Sequence, residues 1–248
     1  MKSYIRTIIW LILFSIAMGY MESAVVIYLR KIYYPAGFHF PLVTLDASIE
    51  LVELFREAAT IIMLLAIGIL TAKSASLRFA HFILCFAIWD LSYYLFLRIF
   101  LGWPQSLLIM DILFLIPVPW VGPVIAPCIV SITMMILAVA IIHFQRNGIN
   151  TRLKSKEWVL FTGGSIIVIL SFMWEYLQYI QEKKSMLISD GVSDNQQMFS
   201  YSKEFVPIDF NWGVFITGEV VLIATIIVFI TRIKRLNLLS DTKCKEHL

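Results

Sequence analysis

Charge is scarce in this chain: only 15% of its 248 residues are Asp, Glu, Lys or Arg, where a soluble domain carries roughly 25%. With 60% hydrophobic residues, the deficit excludes a chain built around a large soluble core. The formal net charge of +3 is too small for a nucleic-acid footprint, so no nucleic-acid partner is expected. Cysteine is equally sparse. Cys85 and Cys128 fall in apolar runs and Cys244 lies in the tail, so no disulfide framework is indicated. No Cys/His cluster has zinc-ligand spacing. The four histidines, His39, His81, His143 and His247, lie in loops, tails or helix ends, so no haem is expected. A cleavable leader is not indicated either: the first apolar run continues through Ala24 to Leu29, and no A-x-A-like site precedes a polar start. An uncleaved first helix is the reading.

What is present is a series of apolar runs of the length that crosses a bilayer. They predict an all-α membrane protein, a single integral membrane domain over residues 1–248, with helices at about 8–29, 51–71, 80–101, 122–144, 157–179 and 212–232. Basic residues orient it. With the N-terminus inside, Lys2, Arg6, Lys73, Arg78, Arg146, Arg152, Lys154, Lys156, Arg232, Lys234, Arg235, Lys243 and Lys245 are cytoplasmic. The opposite loops hold Arg30, Lys31, Lys183, Lys184 and Lys203. Thirteen against five is a positive-inside bias that places both termini in the cytoplasm. The loop over 30–50 is expected to pack at the interface, and the polar stretch 180–210 to be mobile at its centre.

One segment breaks the pattern. Residues 105–120 are apolar but too short to span, and Pro117, Pro119, Pro123 and Pro127 crowd its end and the stretch that follows. Proline removes a backbone donor and restricts its predecessor. Irregular backbone at membrane depth survives only where protein or a wet cavity covers it. The expectation is a short re-entrant or interfacial helix on the outer side, before the fourth span.

The acids carry the functional signal, because charge within a bilayer is costly and is retained for a use. At ~1.5 Å per residue, Glu22, Glu57 and Glu219 lie ~10 Å below the outer boundary, Asp90 ~16 Å, and Glu53 and Glu175 ~3–6 Å. Asp111 sits on the short outer segment. Helices running in opposite directions thus place their carboxylates at one end. Glu50, Glu53, Glu57 and Thr60 form one stripe, and Glu53 and Glu57 repel unless a cation, a proton or an arginine such as Arg56 intervenes. Asp90, Tyr94 and Arg98 share a face of the third span. These residues define an expected pocket of Glu22, Glu53, Arg56, Tyr94, Arg98, Asp111, Glu175 and Glu219, with Glu57 and Asp90 as acid/base candidates. If a metal is held, Glu22, Glu57, Asp90 and Glu219 are the ligands, and a divalent cation is the cofactor considered. A purely structural salt-bridge network with Arg56 and Arg98 is the competing account. Four deep acids against two arginines leave negative charge to neutralise.

Three stretches resemble an uncharacterised family of bacterial polytopic membrane proteins. They are REAATIIML (Arg56–Leu64), WDLSYY (Trp89–Tyr94), and DILFLIPVPWVGPV (Asp111–Val124) with the preceding GWPQSL (Gly102–Leu107). The resemblance covers about residues 15–230. It implies a shared architecture and a bacterial inner (plasma) membrane location, and it lends no catalytic residue. Three functions fit these observations: an intramembrane enzyme acting on a lipid or isoprenoid-like substrate, a cation- or proton-coupled transporter, and a non-catalytic assembly partner. The expected partners are membrane lipids and a small hydrophobic or cationic ligand.

Overall fold

A chain surrounded by hydrocarbon must satisfy its own backbone, and the long apolar runs do so as helices. The computed structural model describes residues 2–43, 46–189, 201 and 204–246. In chain order they form α1 (Lys2–Tyr33), α2 (Ala47–Thr71), α3 (Ala75–Leu101), β1 (Met110–Phe114), β2 (Trp120–Pro123), α4 (Ile125–Arg146), α5 (Ser155–Ser189) and α6 (Trp212–Glu246). All six helices are long and apolar enough to cross a membrane. Five enclose their expected spans and extend beyond them. The fourth begins at Ile125 rather than 122, because Gly122 and Pro123 belong to β2. The centre of the polar stretch over 180–210 lies outside the described residues, while its start, through Ser189, continues α5.

The short segment before α4 is not a helix, which corrects the expectation for 105–120. Met110 pairs with Pro123, Asp111 with Gly122, Ile112 with Val121 and Phe114 with Trp120, making an antiparallel hairpin with an irregularity after Ile112. The ladder is lengthened by Val124 N–H to Ile109 O (3.1 Å) and Ile125 N–H to Leu107 O (2.8 Å). The physical reason is local. Branched and aromatic residues flank a turn that holds Pro117 and Pro119, a combination that favours paired strands over a helix. The two strands then satisfy each other's backbone.

α3 organises one half of the molecule: α1, α2 and α4 all pack on it, while α5 pairs with α6, and α4 links the two groups. Glycine sets two of these approaches. A methyl at Gly19 of α1 would stand 2.8 Å from the Trp89 carbonyl oxygen on α3, and one at Gly218 of α6 would stand 2.9 Å from the Val168 backbone nitrogen on α5. Small residues at crossings let membrane helices gain dispersion contacts that lipid would otherwise supply. The end of α3 is locked by Arg98, which donates to the carbonyls of Gly102 (2.7 Å) and Pro104 (2.9 Å). Leu11, Leu64, Cys85 and Trp89 form a buried apolar layer between α1, α2 and α3.

Candidate functional site

Helical spacing decides which side chains of one helix can act together. On α2, Arg56 donates to Glu53 three residues earlier (2.8 Å). The same guanidinium bonds Glu22 of α1, and Thr60 donates to Glu22 at 3.3 Å. Arg56 is thus the intervening cation that the Glu53–Glu57 repulsion called for. Glu57 faces the hairpin, where its carboxylate accepts the Leu115 N–H at 2.9 Å. Asp90 on α3 accepts the Ser131 hydroxyl of α4 at 2.8 Å.

These groups surround a cavity of about 60 Å³ lined by Glu22, Val26, Arg56, Glu57, Trp89, Asp90, Tyr93, Tyr94 and the hairpin residues Ile112, Leu113 and Phe114. The hairpin is its roof. Trp89 joins its wall to the apolar layer of Leu11, Leu64 and Cys85. Its side wall is unusual: α1 and α2 each pack on α3 rather than closely on one another. The bonds from Arg56 and Thr60 to Glu22 bridge the seam between them.

Beside the cavity lies a buried ion pair joining the hairpin to α1. Arg30 donates to Asp111 at 2.8 Å, and the guanidinium carbon stands 4.2 Å from the Phe38 ring centre and 3.8 Å from that of Trp103. The two rings meet nearly at a right angle, with centroids 6.0 Å apart, and such aromatic contacts stabilise a cation by about 0.5–2 kcal/mol. Burial holds the Asp111 carboxyl above the usual carboxylate range, and Arg30 and the Tyr94 hydroxyl offset only part of that rise. Several buried polar atoms here have no hydrogen-bond partner: Arg30 Nη1, Asp111 Oδ2, Tyr94 Oη and Trp89 Nε1. An unpartnered buried polar atom costs about 1–3 kcal/mol, so this end of the molecule carries stored bonding capacity.

Of the residues expected at the site, Glu22, Arg56, Glu57, Asp90 and Tyr94 converge on the cavity. Glu53 adjoins through Arg56, and Asp111 stands beside it on the roof. Three are placed elsewhere. Arg98 is exposed and caps α3. Glu175 accepts the backbone N–H groups of Ile208 (2.5 Å) and Asp209 (3.1 Å), tying α5 to the entry of α6. Glu219 turns to α4, accepting the Thr133 hydroxyl at 2.7 Å, with its second oxygen buried and unpartnered. The quartet Glu22, Glu57, Asp90 and Glu219 is therefore not one ligand set: Glu219 is absent from the cavity lining. Among the described residues no three His, Cys, Asp or Glu side chains come together as a metal-binding group.

Sequence reasoning missed Arg30, treating it as a loop charge, and gave no role to Phe38. Tyr93 and Trp89, inside the WDLSYY stretch, line the cavity. Each precedes a member of the Asp90–Tyr94 face by one residue, so the two form the adjoining stripe of α3, and that was the available signal. No family model, no curated protein and no solved structure matches this chain. The site is read from its own geometry.

Proposed function

We propose that this chain is a multi-pass protein of a bacterial inner membrane, with both termini cytoplasmic, that acts as an intramembrane enzyme on the polar end of a lipid-like substrate. The observation that carries this reading is the seam between α1 and α2. Across it α1 and α2 do not pack closely and the bonds to Glu22 bridge the gap, which offers the acidic cavity a lateral approach from the bilayer. A substrate can leave its hydrocarbon chains among the exposed apolar side chains of Val52 and Phe55 on α2 and insert only its head. Glu57 and Asp90 are the acid/base pair. Each is held by a neutral donor, the Leu115 N–H and the Ser131 hydroxyl, and neither makes a described ion pair with Arg56, whose direct bonds go to Glu22 and Glu53. A general acid/base needs a group that exchanges its proton readily, and a carboxyl without a cationic partner meets that need.

The test uses the full chain in vesicles of a bacterial polar lipid extract, with lipids followed by mass spectrometry. Wild type converts one lipid class, and Asp90→Asn and Glu57→Gln each slow conversion at least 100-fold while eluting as folded protein. Conversion that persists in both variants removes their roles. No conversion by wild type removes the enzyme reading.

One observation favours a second reading. A cavity of about 60 Å³ suits a proton or small cation, the cargo of a coupled transporter. The buried layer of Leu11, Leu64, Cys85 and Trp89 stands across the path such a cargo would need. Proton or cation flux into proteoliposomes that stops in Asp90→Asn and Glu57→Gln selects that reading.

A further inference from the structure

Resting on the reading of the cavity as the head end of a lipid site, we infer that the group it takes is a primary ammonium on a short aliphatic arm, as in an aminoethyl phospholipid headgroup. Charge is the first argument. Glu22, Glu53, Glu57 and Asp90 face a single guanidinium, Arg56, and Glu22 and Glu53 both bond it. That leaves Glu57 and Asp90 with only an amide N–H and a hydroxyl as described partners. A cation in the cavity would neutralise what the protein itself does not.

The lining decides which cation. Among the described residues the acids do not converge as a metal-binding group, so the negative charge is spread around the walls rather than focused on a point. An ammonium has three N–H donors directed apart, which suits acceptors on separate helices: Glu57 of α2, and Asp90 and Tyr94 of α3. Tyr94 is an independent witness. It is 6% exposed, it lines the cavity, and its hydroxyl, set beside the Asp111 carboxyl, accepts a hydrogen bond from no described donor. The remaining wall is aromatic: Trp89, Tyr93 and Phe114 line the same cavity, Tyr93 and Tyr94 lie 5.0 Å apart, and Trp89 and Phe114 6.2 Å apart. Aromatic faces attract a desolvated cation.

Volume separates primary from quaternary amines. A cavity of about 60 Å³ is less than half the size of the roughly 150 Å³ engineered cavity that admits benzene. An aminomethyl end matches that. A nitrogen carrying three methyl groups does not.

The experiment offers the full chain in detergent an equimolar mixture of phosphatidylethanolamine, its N-monomethyl, N-dimethyl and N-trimethyl (choline) forms, and phosphatidylglycerol, all with the same acyl chains. Native mass spectrometry reads the retained lipid. Wild type retains the primary amine at least fivefold over the choline lipid, with graded loss along the methyl series. Asp90→Asn combined with Glu57→Gln brings the ratio within twofold, and Glu157→Gln, far from the cavity, leaves it unchanged. Equal retention across the methyl series in wild type overturns the inference, as does a preference that survives both neutralisations. The methyl series needs no variant, so a double variant that fails to fold does not shelter the idea. The outcomes also separate this inference from the enzyme reading. Selective retention without conversion keeps the ammonium and removes the enzyme, whereas conversion confined to lipids without an amine keeps the enzyme and removes the ammonium.

Discussion

Two ends of this molecule handle buried carboxylates in opposite ways. At the end where α5 begins and α6 ends, Glu157 is 4% exposed and fully engaged. Arg232 donates to both its oxygens at 2.7 and 2.8 Å, and the Lys154 N–H adds a bond at 2.8 Å. Arg232 also reaches the Arg152 carbonyl at 3.2 Å. This is a clamp, one acid matched to one guanidinium. At the hairpin end, Glu22, Glu53, Glu57, Asp90 and Asp111 share Arg30 and Arg56, and polar atoms of Arg30, Asp111, Tyr94 and Trp89 go unbonded. One end matches a buried acid fully to a single cation; the other spreads five acids over two cations and leaves buried polar atoms unbonded.

The largest effect expected from breaking that comparison lies in the one ion pair of the hairpin end that resembles a clamp. Asp111→Asn leaves the Arg30 charge buried without a counter-charge, and removing one partner of a buried pair costs about 3–5 kcal/mol. Thermal unfolding of the purified protein should show it, together with faster proteolysis at the hairpin. A silent Asp111→Asn would move this pair to the open class. Next comes Glu157→Gln, about 3 kcal/mol by the same reasoning, slightly relieved because Arg232 is 17% exposed. Its signature is lost stability with lipid retention unchanged.

Gly19→Ala ranks third. The added methyl meets Ser92 Cβ at 2.7 Å and the Trp89 carbonyl at 2.8 Å, and overpacking of this kind costs about 1–3 kcal/mol. Because Trp89 and Tyr93 line the cavity, the forced shift of α1 should also lower lipid selectivity. An Ala variant with wild-type melting would show that α1 is not seated as closely as described. The smallest change in stability belongs to Glu57→Gln, under about 1 kcal/mol, since the amide oxygen still accepts from Leu115 and the surplus negative charge falls. Its effect should appear in binding or turnover instead. If Glu57→Gln melts as early as Glu157→Gln, the acids of both ends are structural and the non-catalytic assembly reading gains.

Part of this site was legible from spacing. Arg56 reaching Glu53 is an i, i+3 contact on one helix, and the common face of Asp90 and Tyr94 follows from a four-residue step. The illegible part involves pairs distant in sequence: Arg30 with Asp111, Asp90 with Ser131, and Glu219 with Thr133. Glu219 shows why. Its depth, counted along α6, matched that of Glu22 and Glu57, but depth says nothing about rotation. The close approach of α6 to α5 at Gly218 fixes a rotation that presents Glu219 to α4, away from the cavity. The hairpin was misread for another reason. Length and prolines excluded a span, but a short, mostly apolar run does not distinguish a short helix from paired strands until its partner strand is known.

The sequence by itself determined that six apolar runs become spanning helices and that their acids gather at one end, because hydrophobic length and rise per residue are properties of each run alone. Tertiary structure decided which of those acids meet. It turned Glu219 away and brought Arg30 to Asp111. It roofed the cavity with a hairpin and left the seam between α1 and α2 to side chains. Those outcomes depend on how each helix is rotated and seated against its neighbours, and glycine contacts and packing set that rotation only once the whole bundle exists.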